Sequence, residues 1–267
     1  MVSPFNPVQS SACENTCNIP YMSPNAALYV DAFYGPLGIP GGVLGKIKLQ
    51  VCCTATCQES KDIGDVPLVF LLHIFGGTRL LHSALVQVLA SSGFADITVA
   101  HTFKSFVVEF PYGSVIPSLN DSSWDLAIPG RLGPLQDIRV DDQLVPGSPC
   151  MFSAERAAVL GHSFGGSTSI ALLMKDSRFV GGLNSYGEQF GEITDMQQPA
   201  VLFGTTGATP SPHTSILDPS WAETLRHLKR WNRRVWLHNI THSGFIDVSI
   251  LYKTGVLSRW AMKAVVM

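Results

Sequence analysis

The run with the clearest chemistry is Gly161-His162-Ser163-Phe164-Gly165-Gly166, a G-x-S-x-G arrangement between an apolar stretch (Arg156–Leu160) and a helical one (Phe164–Met174). A serine becomes a useful nucleophile when its hydroxyl is held in the open and a base takes its proton. A sharp strand-to-helix turn does the first. It needs small residues two places before and two after the serine, because the chain folds closely back on itself there. The same turn aims the next amide, that of Phe164, at an oxygen on which negative charge develops. A second donor is expected from a glycine-bearing loop. His73-Ile74-Phe75-Gly76-Gly77, directly after the apolar run Val66–Leu72, offers the Phe75 amide. The base is expected to be a late histidine. His242, just past the last apolar segment, fits, whereas His238 lies on the segment itself.

The elements needed to position these groups are legible as alternating segments. Lys46–Cys53 alternates polar and apolar residues like a half-buried strand, and Val66–His73 has the length of a fully buried one. Thr78–Ser92 carries Leu81, Leu85 and Val88 at helical spacing. Strands are expected at Phe94–Ala100, Phe106–Phe110, Arg156–Leu160, Phe179–Asn184, Ala200–Gly204 and Val235–Asn239, with helices at Pro134–Leu144, Phe164–Met174 and Pro219–Trp231. This alternation predicts an α/β fold, with a mostly parallel central sheet, helices on both faces and a minimal cap. Residues 1–45, rich in Pro, Gly, Ser and Asn, are expected to form an irregular arm, leaving 46–267 as one domain. Residues 111–133 read as a turn-rich surface excursion.

The chain of 267 residues has 14% charged residues and a net charge of −2, which lacks the basic footprint needed to neutralise phosphates, so no nucleic-acid partner is expected. His227, Lys229, Arg230, Arg233 and Arg234 form the one basic cluster, read as a solvated turn at a helix C-terminus. No apolar run approaches the ~20 residues of a spanning helix. Residues 1–20 lack the basic and apolar regions of a secretory signal, so a cytoplasmic protein is expected. The cysteines (Cys13, Cys17, Cys52, Cys53, Cys57, Cys150) are then expected as reduced thiols, since their spacings lack a matching second zinc-ligand pair. No metal and no cofactor is expected. Asn120-Asp121-Ser122 and Asn239-Ile240-Thr241 fit the glycosylation sequon, the second adjoining His242.

Taken with FGGTRLLHSALVQVLASSGF (75–94), VVEFPYG (107–113), KDSRFVGGLNSYG (175–187), LDPSWAETL (217–225) and THSGFIDV (241–248), the serine motif makes the chain resemble α/β-hydrolases of the platelet-activating-factor acetylhydrolase-like group, especially its fungal members. The resemblance implies Ser163 as nucleophile, His242 as base and ester or lipid-like acyl substrates. It also implies a triad acid 23 residues past the serine. That position is Tyr186, which carries no carboxylate. Asp218 and Glu188 are the substitutes considered, with Asp247 weaker because it lies close to His242 in sequence. Asp218 precedes Pro219 and a helix, so it fits an N-cap equally well.

Two activities follow from these residues. One is a serine esterase or thioesterase of fungal secondary metabolism, acting on a small hydrophobic acyl substrate between walls such as Tyr186 and Trp221, with Phe75, Phe164 and Phe190 nearby. The other is a cyclase or condensation catalyst in a polyketide-type pathway, in which His242 acts as general base without net hydrolysis. A homodimer or a pathway synthase is the expected protein partner.

Overall fold

The computed structural model describes residues 1–8, 11, 13–35, 40–53, 66–118, 132–143, 155–206, 214 and 216–253. In chain order the strands are β1 (Val2–Phe5), β2 (Thr16–Pro20), β3 (Lys48–Cys52), β4 (Leu68–Leu72), β5 (Ala95–Val99), β6 (Val107–Glu109), β7 (Val115–Pro117), β8 (Ala157–His162), β9 (Phe179–Ser185), β10 (Ala200–Thr206) and β11 (Asn232–His238). The helices are α1 (Pro24–Tyr34), α2 (Ser83–Ser91), α3 (Leu132–Gln143), α4 (Phe164–Lys175), α5 (Pro219–His227) and α6 (Val248–Lys253).

Seven strands form the main sheet in the order β1-β5-β4-β8-β9-β10-β11, parallel except for β1. Burial on both faces explains the continuous apolar run of β4, and β5 is buried along its whole length although Asp96 and Thr98 lie on one face. Chain order runs outward from β4 to β5, then returns to the other side of β4 with β8. The strand order therefore reverses between β4 and β8, and the crevice outside their carboxyl ends is where such sheets bind ligands. Leu72 pairs with Gly161 across that boundary. The Phe75 loop and Ser163 thus leave the sheet side by side.

The described residues among the first 45 include regular elements where an irregular arm was expected. β1 adds an antiparallel edge strand to the sheet, pairing Val2 with Val99, and β2 pairs with β3 in a separate ribbon. Helix α1 packs Ala26, Ala27, Val30 and Tyr34 into a second hydrophobic cluster with Leu81, Ile246 and Leu251. Pairings this distant in sequence leave no local periodicity to read. β6, expected as a strand, pairs only with β7 in a two-stranded ribbon beside α1. The helix expected from Pro219 to Trp231 stops at His227, and Arg233 and Arg234 lie on β11. Residues 119–131 and 144–154, which bear on the cap and include Asn120, lie outside the described residues.

Four of the six cysteines overturn the reduced-thiol expectation, and Cys57 and Cys150 lie outside the described residues. Cys13 bonds Cys52 and Cys17 bonds Cys53, with Cα atoms 5.5 and 5.3 Å apart, so both bridges clasp the β2–β3 ribbon. Spacing alone could not pair them, because the partners lie on strands that the sequence did not reveal as neighbours. Disulfides persist in oxidising compartments and are rare in the cytosol, so the bridges weigh against the cytoplasmic expectation. No helix among the described residues is long and apolar enough to cross a membrane.

Candidate active site

Ser163 sits between β8 and α4 at φ 57° and ψ −123°, a left-handed conformation that a non-glycine residue holds only when its surroundings enforce it. The surroundings here are glycines and strand ends. A Cβ on Gly161 would overlap the Gly165 carbonyl, and one on Gly165 would overlap the carbonyls of Leu72 and His73. Those contacts are why the motif tolerates only small residues two places to either side. The Ser163 amide donates to the Ser185 carbonyl at 2.7 Å, and the Ser163 carbonyl accepts from the Ser167 amide at 3.0 Å. In the elbow from Gly161 to Gly166, Ser163 alone is only half-buried. Its hydroxyl also stands at the N-terminus of a 12-residue helix, where unpaired N–H groups favour negative charge.

The loop after β4 lies against the elbow. The rings of Phe75 and Phe164 meet edge-on, with centroids 5.4 Å apart, and Phe190 packs on Phe164 at 5.7 Å. The two residues whose amides were expected to serve one oxyanion are therefore neighbours. Gly76 takes φ 65°, which lets the loop turn, and its amide donates to the Lys104 carbonyl at 3.0 Å.

His242 occupies a short 3₁₀ turn, His242–Phe245, after β11. Its ring lies 4.6 Å from that of His162, the residue before the nucleophile, and 4.9 Å from that of Tyr186. His162 is itself buried. Burial first, then the His242 and His82 imidazoles, holds its pKa well below the ordinary histidine value, so it stays neutral. His82, 5.9 Å away from His162, is held down to about 4 by burial. Both imidazoles beside the elbow are thus held neutral.

The carboxylates fall in three different places. Asp218 caps α5: its Oδ1 accepts from the Ser220 amide at 2.8 Å and from the Ser220 hydroxyl at 2.7 Å. Glu188 is exposed. Asp247 is buried at the start of α2, where Oδ2 accepts from the Ala84 amide and the Tyr21 hydroxyl, both at 2.9 Å. Tyr186 directly follows β9, at φ 61°, and is buried with its ring against His242.

Trp221 is not a pocket wall. It is 0% exposed within the main core, and its indole N–H donates to the Gly187 carbonyl at 2.6 Å. Trp221, Leu225 and Leu228 recur at i, i+4 and i+7, the spacing of a helix face turned into the core. His238, on β11, contacts the Thr206 hydroxyl at 3.0 Å.

Several supporting residues gave no motif signal. Asn184 brackets Gly187 with two 2.8 Å hydrogen bonds, and a Cβ on Gly187 would overlap the Ser163 carbonyl. Arg139 on α3 is fully buried and donates to the carbonyls of His73 and Ile74 at 2.8 and 3.3 Å. A charged residue on a mixed-polarity helix reads as solvated, so only the tertiary structure reveals it. Among the described residues, no cluster of three or more metal-ligating side chains occurs.

No family model matches the chain. It is similar to ferulic acid esterase from Streptomyces cinnamoneus, with a TM-score of 0.73 and 26% identity over 94% of this chain and 69% of that one. A dienelactone hydrolase-like promiscuous phosphotriesterase from metagenomic libraries shares the fold, with a TM-score of 0.50 and 14% identity over 81% of this chain and 87% of that one. With the sheet order and the elbow, these likenesses make the chain an α/β-hydrolase-type enzyme. Within that class it resembles the platelet-activating-factor acetylhydrolase-like group. It is 26% identical over 276 residues to the probable 1-alkyl-2-acetylglycerophosphocholine esterase of Arthroderma benhamiae, covering 96% of this chain and 69% of that protein.

Proposed function

We propose that the chain is a serine esterase for small acyl esters or thioesters with an apolar part. Ser163 attacks the acyl carbonyl while His242 takes its proton, and the amides of Phe75 and Phe164 receive the oxyanion. His242 then protonates the departing alcohol or thiol, and water releases the acid from the acyl-serine. The observation that carries this reading is the Ser163 backbone at φ 57° between β8 and α4, because such strain is retained where geometry must present a hydroxyl. Phe75, Phe164 and Phe190 make the neighbourhood apolar, and the two likenesses that cover 96% and 94% of this chain are to proteins named as esterases.

A second reading is favoured by one observation, the tyrosine ring where a carboxylate would orient His242. Without that carboxylate the histidine can act as a general base on an acidic C–H, with the two amides holding an enolate oxygen. Such a reaction fits a cyclisation or condensation in secondary metabolism.

Turnover of short-chain p-nitrophenyl esters in heavy-oxygen water separates the two. The esterase incorporates one heavy oxygen into each acid released, and Ser163→Ala and His242→Ala lose this. No turnover of any activated ester or thioester by folded protein sinks the esterase reading.

A further inference from the structure

We propose that Arg139 positions and polarises the peptide whose N–H serves as the first oxyanion donor, an inference that rests on the esterase reading above. A guanidinium stays charged in any protein environment, so burying one completely needs a reason that outweighs its desolvation. Its contacts supply one. Nη1 donates to the His73 carbonyl at 2.8 Å and Nη2 to the Ile74 carbonyl at 3.3 Å. The Ile74 carbonyl belongs to the same peptide group as the Phe75 N–H, and in a trans peptide the two point in opposite directions. Donors that fix the direction of the carbonyl therefore also fix the direction of the Phe75 N–H on the opposite side of the peptide.

The same oxygen receives two further donors, the Gly77 amide at 3.3 Å and the His73 ring. His73 Nδ1 lies 2.6 Å from it, and because a carbonyl only accepts, Nδ1 carries the proton. The Ser105 hydroxyl, 3.0 Å from Nε2, then donates to the other ring nitrogen and fixes that tautomer. Burial and the neighbouring Arg139 charge keep the ring neutral, consistent with this arrangement. Three hydrogen bonds on one carbonyl, two of them from the Arg139 and His73 side chains, polarise the peptide and strengthen its N–H as a donor.

The guanidinium also lies over the Phe164 ring, 4.9 Å from its centroid, so one cation backs both oxyanion residues. Helix α3 is anchored beneath the elbow independently: Gln136, one turn before Arg139, accepts from the Ser167 hydroxyl and donates to the Phe190 carbonyl at 3.0 Å.

The test compares wild type, Arg139→Met and Arg139→Lys in the full chain, each checked by thermal melting. Readouts are kcat and KM on a p-nitrophenyl ester, and Ki for an apolar trifluoromethyl ketone, whose serine adduct carries an oxyanion. Loss of one oxyanion donor costs about 10²–10³-fold, so misplacing one should cost about 10–100-fold. The expected result is that fall in kcat for Arg139→Met, KM unchanged within about 3-fold, and Ki raised by the same factor as kcat falls. Arg139→Lys keeps the charge but not the two-pronged geometry, and recovers part of both. Wild type is first titrated with a fluorophosphonate. Absence of an adduct brings down the esterase reading and this proposal with it. An adduct on wild type, with kcat and Ki unchanged in Arg139→Met, overturns the Arg139 role alone. So does a loss confined to KM, or failure of both variants to fold.

Discussion

The ring of Tyr186 stands edge-on against the ring of His242, with centroids 4.9 Å apart and planes at 86°. A residue directly after β9, next to the strand that carries the nucleophile, thus meets the candidate base directly. In Ser-His enzymes a carboxylate at the imidazole fixes the tautomer and stabilises the imidazolium, and its loss costs about 10⁴ in kcat in one serine protease. A tyrosine side chain offers no carboxylate for either role.

Replacing Tyr186 with Asp should therefore raise esterase activity. The backbone there is left-handed, at φ 61°, which Asp tolerates better than a bulky aromatic residue. We expect kcat/KM to rise about 10-fold or more, while loss of the buried ring lowers stability by about 2–4 kcal/mol. Steady-state kinetics with thermal melting measures both. Activity equal to or below wild type in a folded variant would show that the position does not govern His242.

The elbow glycines should be intolerant in a graded way. A Cβ on Gly165 would meet the Leu72 and His73 carbonyls, which belong to a central strand and cannot yield. Gly165→Ala is expected to abolish activity and lower the melting temperature. Gly93→Ala has open space and suffers only from φ 90°, so it should keep activity. Equal activity in both variants would contradict the packing argument.

The disulfides should stabilise the β2–β3 ribbon without serving the chemistry. They close separations of 39 and 36 residues, each worth about 3–4 kcal/mol on the chain-entropy account. The loops overlap, so the pair contributes less than the sum. Reductant should lower the melting temperature measurably while fluorophosphonate labelling at a permissive temperature is unchanged. An unchanged melting temperature after complete reduction would contradict this.

Asp96 should make stability depend on pH. It is 0% exposed on β5, and burial pushes its pKa up to about 7 from 3.8. The native state then binds a proton that the unfolded chain releases between about pH 4 and 7, so stability falls as pH rises through that window and levels off above it. The ceiling on this loss is about 4 kcal/mol. Asp96→Asn should flatten the profile and melt higher than wild type at pH 8. A wild-type profile that rises from pH 4 to 7, with no gain from the variant, would contradict the burial argument.

What the sequence made legible follows from locality. Buried parallel strands such as Leu68–Leu72 are continuous apolar runs, and a strand-turn-helix with glycines at fixed offsets is read from a few adjacent residues. Ser163 and Phe164 are candidates on that basis, and Phe75 and His242 are candidates from their places after predicted strands. The edge strand Val2–Phe5 was not legible, because its pairing with residues 96–99 has no trace in local periodicity. Arg139, Asn184 and the cysteine pairs were missed for the same reason. Each acts on a partner at least 36 residues away, or, for Asn184, on a turn whose packing only the folded sheet defines.

The central claim is that Ser163 is a nucleophile activated by His242, and intact-mass analysis after fluorophosphonate treatment tests it most directly. Wild type should gain one adduct, Ser163→Ala none, and His242→Ala one only at a rate lower by about two or more orders of magnitude. An unlabelled, well-folded wild type, or labelling that survives in Ser163→Ala, would contradict it.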